Sequence, residues 1–146
     1  MIFRGKRLPA HLQPAFDAFQ AVLAEIEPAK AELAEVMPSN RLPGRPLVEA
    51  LHGYEASLTR ARAAMPSWRR PEVEDEWMAC DEGLARGLVM AARLREEAPD
   101  LGGFEGLLGT VQDLLDPLDP FVAAAERFVA LRLRARPIPK GLDGLD

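Results

Sequence analysis

The sequence predicts an all-α fold, an antiparallel up-down four-helix bundle. Three observations carry this expectation. Apolar residues recur at three- and four-residue spacing in four separate stretches, the mark of a helix face. No stretch alternates with period two, as a half-buried strand would. Short connections containing Pro or Gly join the stretches, which favours antiparallel neighbours. At 146 residues and 48% hydrophobic composition, the chain has the size of one domain and enough apolar surface to fold. Residues 1–136 are assigned to the bundle and 137–146 to a C-terminal tail.

The first helix is predicted over 10–37, with a stripe of Leu12, Phe16, Phe19, Leu23, Ile26, Lys30, Leu33 and Met37. Only Lys30 interrupts it, and Pro28 should kink it. The turn MPSNRLPGRP (37–46) leads to a second helix over 44–65, striped by Leu47, Leu51, Tyr54, Leu58, Ala61 and Met65. MPSWRRP (65–71) places Pro71 at the first position of a third helix, 71–98, where a missing N–H costs nothing. Its stripe is Val73, Trp77, Cys80, Leu84, Gly87, Ala91, Leu94 and Ala98.

After APDLGG (98–103), the fourth helix, 103–136, carries Leu108, Val111, Leu115, Leu118, Val122, Ala125 and Val129. Pro117 and Pro120 break it, with Asp119 as the expected N-cap of the second piece. Gly83 and Gly87, with Gly103, Gly106 and Gly109, predict close approach of the third and fourth helices. If the Pro28 kink and the Pro117–Pro120 break face each other, they widen the bundle at mid-height. That space is the alternative reading of the chain as a binder of a small apolar ligand.

Composition narrows the function classes. A net charge of −5 and a pI near 5.1 argue against broad binding to nucleic acid or anionic membrane. Cys80 is the single cysteine, so no internal disulfide forms and a cytoplasmic setting is expected. The opening MIFRGKRLPA lacks the apolar run of a secretory signal, and no stretch approaches the ~20 apolar residues that span a bilayer. Three Ser, two Thr, one Tyr, one Asn and two His are sparse equipment for catalysis. Arg outnumbers Lys fifteen to three beside abundant Ala, Leu, Pro and Gly, a bias that fits a GC-rich bacterial gene.

The densest chemistry is RRPEVEDEWMACDE (69–82), with six carboxylates, a Trp and the Cys. On a helix Val73, Trp77, Cys80 and Leu84 share one face, Asp75 and Glu82 point nearly opposite, Glu72 and Glu74 lie to the sides, and Glu76 and Asp81 flank the buried stripe. A metal or acid–base site needs convergence, and these groups fan out. Acids in a first helical turn instead suit the macrodipole. Glu82 and Arg86 form an expected i,i+4 pair. Cys80 reads as a small buried hydrophobe. GGFEGLLG (102–109) is no phosphate loop, since no Gly-Lys-Ser/Thr follows.

Glu49-Ala-Leu-His52 has the E-x-x-H spacing of di-iron bundles, but it occurs once and points away from its own core stripe. Only a site shared between two chains would use it, the low-ranked exception to a non-enzyme. Residues 39–71 carry +4 and 72–100 carry −6. Either neighbouring helices pair these charges, or Arg41, Arg45, Arg60, Arg62, Arg69 and Arg70 form a basic strip for nucleic acid within a larger ribonucleoprotein. Trp68 either caps the bundle end or stands exposed beside Arg69 and Arg70 as an interface anchor. The tail RPIPKGLDGLD (136–146) offers Ile138, Leu142 and Leu145 as a docking motif.

The expected role is therefore a non-enzymatic adaptor or assembly subunit of a bacterial complex, free of cofactor and metal. It would bind a protein partner, with a homodimer possible in principle, through Trp68, Arg69, Arg70, Glu72, Asp75, Glu82, Leu142 and Leu145.

Overall fold

The computed structural model describes residues 7–39, 45–97 and 112–134. They form a four-helix bundle, and every regular element among them is helical. A 3-10 turn, Ala10–Leu12, leads into α1 (Gln13–Ser39). α2 (Arg45–Ala64) ends in a second 3-10 turn, Met65–Trp68. A third, Pro71–Val73, opens α3 (Glu74–Glu97). Residues 112–115 are helical, and the 3-10 turn Asp116–Leu118 separates them from α4 (Pro120–Arg134). Residues 1–6, 40–44, 98–111 and 135–146 lie outside the described set, and with them Arg41, Ala98, Gly103, Gly106, Leu108, Gly109, Val111, Ile138, Leu142 and Leu145.

Helices adjacent in sequence pack on one another, and aromatic rings close the bundle between α1 and α4. Phe19 meets Phe128 at 5.2 Å and Phe121 at 6.1 Å between ring centroids, and Phe16 meets Phe128 at 5.3 Å. Such offset and tilted pairs each add ~0.5–1.5 kcal/mol beyond the area they bury. The second and third predicted stripes are the observed ones. Leu47, Leu51, Tyr54, Leu58, Ala61 and Met65 are buried, as are Val73, Trp77, Cys80, Leu84, Gly87, Ala91 and Leu94. Pro71 takes the first position of its turn, after an extended Arg70 (φ −143°, ψ 151°), the conformation a following proline favours.

The first and fourth stripes are corrected in phase. In α1 the buried line runs Leu12, Ala15, Phe19, Val22, Ile26, Ala29 and Leu33, with Phe16 and Leu23 only half-buried. Lys30 therefore interrupts nothing, because Ala29 holds the core position. α1 continues through Pro28 as one helix. In the fourth region Leu114, Leu118, Phe121, Ala124, Phe128 and Leu131 are buried, whereas Val122 is 62% and Val129 51% exposed. Two apolar lines run side by side there, and both obey helical spacing. The core takes the one carrying two phenylalanines, since larger rings gain more from burial.

The predicted break is present but is not capped as expected. Asp119 keeps helical dihedrals (φ −55°, ψ −35°), and its carbonyl accepts the Val122 amide at 2.9 Å. An N-cap residue would leave the helical region. Close approach at the glycines is also only partly as predicted. The Pro117 backbone lies directly against Gly83, where a side chain would collide with its carbonyl. Gly87 instead faces Leu58 and Tyr54 of α2.

Candidate docking face on α3

The start of α3 is held by groups that sequence proximity alone makes look like a site. Trp68 is fully buried, at 4.8 Å from Phe19 and 6.1 Å from Phe128, and its indole N–H points to Met65 Sδ at 3.2 Å. This corrects its assignment to a partner surface: the 3-10 turn Met65–Trp68 rotates the ring into the core. Trp77 is 8% exposed, and its N–H donates to the Met65 carbonyl at 2.7 Å. Arg69 lies over the Trp77 ring at 4.1 Å and forks onto Glu74 at 2.6 and 3.0 Å. Arg70 is half-buried and donates to the Arg69 carbonyl at 2.8 Å. Glu72 accepts from His11 Nε2 at 2.7 Å, and its carbonyl accepts from Arg127 at 3.1 Å. Hydrogen bonds from His11 and Arg69, respectively, hold the Glu72 and Glu74 carboxyls below the ordinary carboxylate value.

The segregated charge is spent largely between elements. Arg60 meets Glu25 at 2.6 Å, Arg62 meets Asp81 at 3.3 Å, and Arg95 meets Glu55 at 2.6 Å, joining α1 to α2 and α2 to α3. Three of the arginines in the sequence-predicted basic strip, Arg60, Arg62 and Arg69, thus already have carboxylate partners. Glu49 and His52 are both exposed, and no cluster of three or more potential metal ligands occurs among the described residues. Cys80 is fully buried. Burial first, then the Glu76 and Asp81 charges, push its thiol up to about 12.

Two predicted site residues remain free. Asp75 and Glu82 are exposed, and neither has an ion-pair or hydrogen-bond partner among the described residues. The expected Glu82–Arg86 pair does not form. Between the two acids, on the same side of α3, stands Met78, 54% exposed. Ala85 and Val89, the latter 58% exposed, continue the line, because seven- and eleven-residue steps return to within roughly 20° on a helix. Beside it runs an open groove of about 490 Å³ lined by Arg62, Trp77, Met78, Asp81, Glu82 and Ala85. Met78 and Val89 lie outside the core stripes that periodicity marks. Their signal is a large apolar residue opposite a helix's buried face.

No protein-family model matches the chain, and no curated protein or solved structure proved similar to it. A second, smaller cleft of about 120 Å³ lies near the end of α3, between Met90, Arg93, Leu94, Glu97, Asp113 and Leu114. Its rim mixes charge with apolar surface. At the proline break, Pro117 packs on Gly83, so the α3 side of the space proposed for an apolar ligand is occupied by backbone. No helix among the described residues is long and apolar enough to cross a membrane.

Proposed function

We propose that the protein is a non-enzymatic helical-bundle adaptor or assembly subunit that docks a protein partner along the outer face of α3. The carrying observation is Met78, 54% exposed between Asp75 and Glu82, carboxylates with no ion-pair partner among the described residues, and opening onto a groove. A large apolar side chain ringed by polar groups is the composition of an interface centre with its rim. The chemistry elsewhere favours the same reading. The Cys80 thiol is buried and held protonated, and the acids at the start of α3 are paired structurally or fan apart. A reduced lone cysteine suits the cytoplasm. The test is a photo-crosslinking residue at position 78 in the host cell. A discrete adduct with another protein, weakened by Glu82→Lys, is expected. Absence of any adduct, or turnover of a substrate by the purified chain, overturns the reading.

A further inference from the structure

We infer that the occupant of the α3 face is a basic amphipathic helix of a partner protein. This rests on the docking reading above and adds the chemistry of the partner. Three features converge on it. The first is shape. Met78, Ala85 and Val89 form a straight line whose ends are ~16 Å apart along the helix axis. The adjoining groove is lined by Trp77 and the small Ala85 beside Met78, so a rod-shaped ligand can approach closely. Arg62 and Asp81 also line it and are already paired with each other between α2 and α3. An amphipathic helix laid in such a groove presents its apolar positions one or two turns apart.

The second feature is charge. Asp75 and Glu82 sit two turns apart, ~10 Å along the axis, on one edge of the apolar line. Residues 72–97 carry eight carboxylates against three arginines. A neutral helix seated here would desolvate two carboxylates without compensation, and an acidic helix or a phosphate backbone would be repelled. Lys or Arg at positions i and i+7 of the incoming helix meets both acids while the residues between them reach Met78. A second copy presenting the same α3 face would oppose carboxylate to carboxylate across a two-fold, which disfavours self-docking.

The third feature is the anchor. A methionine thioether is unbranched and polarizable, and it repacks around differing apolar partners at little cost. It sits here on the surface between Asp75 and Glu82, at one end of the apolar line, and not in the core.

The full chain, labelled with ¹³C-methyl methionine, is titrated with three synthetic helical peptides. One is amphipathic with Lys and Leu, one amphipathic with Glu and Leu, and one carries Lys and Gln without an apolar face. The Met78 signal is identified by its loss in Met78→Leu. The Lys/Leu peptide is expected to shift it saturably, and the pair Asp75→Asn, Glu82→Gln to weaken binding about tenfold at low salt. Neither exposed side chain makes a hydrogen bond or ion pair among the described residues, so circular dichroism should be unchanged. An equal shift from the Glu/Leu peptide overturns the basic-partner inference and leaves the docking reading standing. Equal binding of the Lys/Gln peptide overturns it as bare charge attraction. A shift on concentrating the chain alone makes a second copy the occupant, and overturns it too. If no peptide moves Met78 while crosslinking at position 78 still traps a protein, the helix is wrong and docking survives; if both fail, both fall.

Discussion

The Tyr54 hydroxyl donates to the Leu114 backbone carbonyl at 3.0 Å, a buried bond from α2 to the last turn before the proline break. A helix that stops leaves its final carbonyls without amide partners, and here a side chain from another helix supplies one. Burial pushes the Tyr54 phenol well above its ordinary value, so it remains a donor at any physiological pH. Tyr54→Phe removes the donor, keeps the ring, and strands the carbonyl. The expected loss is ~1–3 kcal/mol of unfolding free energy, read by urea denaturation. No change would mean that the carbonyl has other support.

Gly83 and Gly87 should respond oppositely to alanine. At Gly83 a methyl meets the Pro117 carbonyl, which is backbone and moves only if the break moves. Gly83→Ala should destabilise by ~1–3 kcal/mol. At Gly87 the nearest atom is Leu58 Cδ1, 2.9 Å from the added carbon, at the end of a side chain that can turn. There the ~1 kcal/mol gained in helix propensity offsets the crowding. Gly87→Ala should therefore be close to neutral. Denaturation midpoints of the two variants make the comparison directly.

The phase of α4 is testable at neighbouring positions. Phe128 is fully buried among Phe16, Phe19 and Trp68, and Phe128→Ala should cost ~3–5 kcal/mol. Val129 is 51% exposed, and Val129→Lys should stay within ~0.5 kcal/mol of the parent. A large loss at Val129 would restore the predicted stripe.

Cys80 should be inert in the folded protein. Its thiol is raised from 9.0 to about 12, which lowers the thiolate fraction roughly a thousandfold, and its sulfur is out of contact with solvent. Reaction with a disulfide reagent at pH 8 should be slow and should become rapid in denaturant. Fast labelling of native protein would contradict the burial.

Acid should loosen the start of α3 first. The Glu72 and Glu74 carboxyls are held below their ordinary 4.5 by hydrogen bonds from His11 and Arg69. A depressed folded value means that their contribution is fully present above 4.5 and is lost as pH falls through the lower folded values. Carboxyl NMR titration should place both below 4.5. His11→Ala should return Glu72 toward the ordinary value and leave Glu74 where it is.

Helix number, order and class were legible in the sequence because they depend on spacing and punctuation, which are local. α2 and α3 each carry one dominant line of large apolar residues, longer than the exposed Met78–Val89 line of α3, so their buried faces followed from periodicity alone. The acidic segment likewise resolved correctly into an inward Val73, Trp77 and Cys80 and an outward Asp75 and Glu82. α4 carries two parallel apolar lines, and periodicity cannot rank them. Phe121 and Phe128 were selected by the rings of α1 and by Trp68, which lie far away in sequence.

What the sequence determined by itself, then, is an all-helical bundle whose last helix is interrupted at Pro117–Pro120. Those properties follow from residue type and from neighbours within one or two helical turns. The tertiary structure decided which acids are occupied and which are free. Asp81 is engaged because Arg62 of α2 lies across from it, while Glu82, one residue on, projects beside Met78 without an ion-pair partner among the described residues. It also decided that Trp68 is core and Met78 surface. Burial belongs to the packing partner as much as to the residue, and the partner is brought up only by the folded chain.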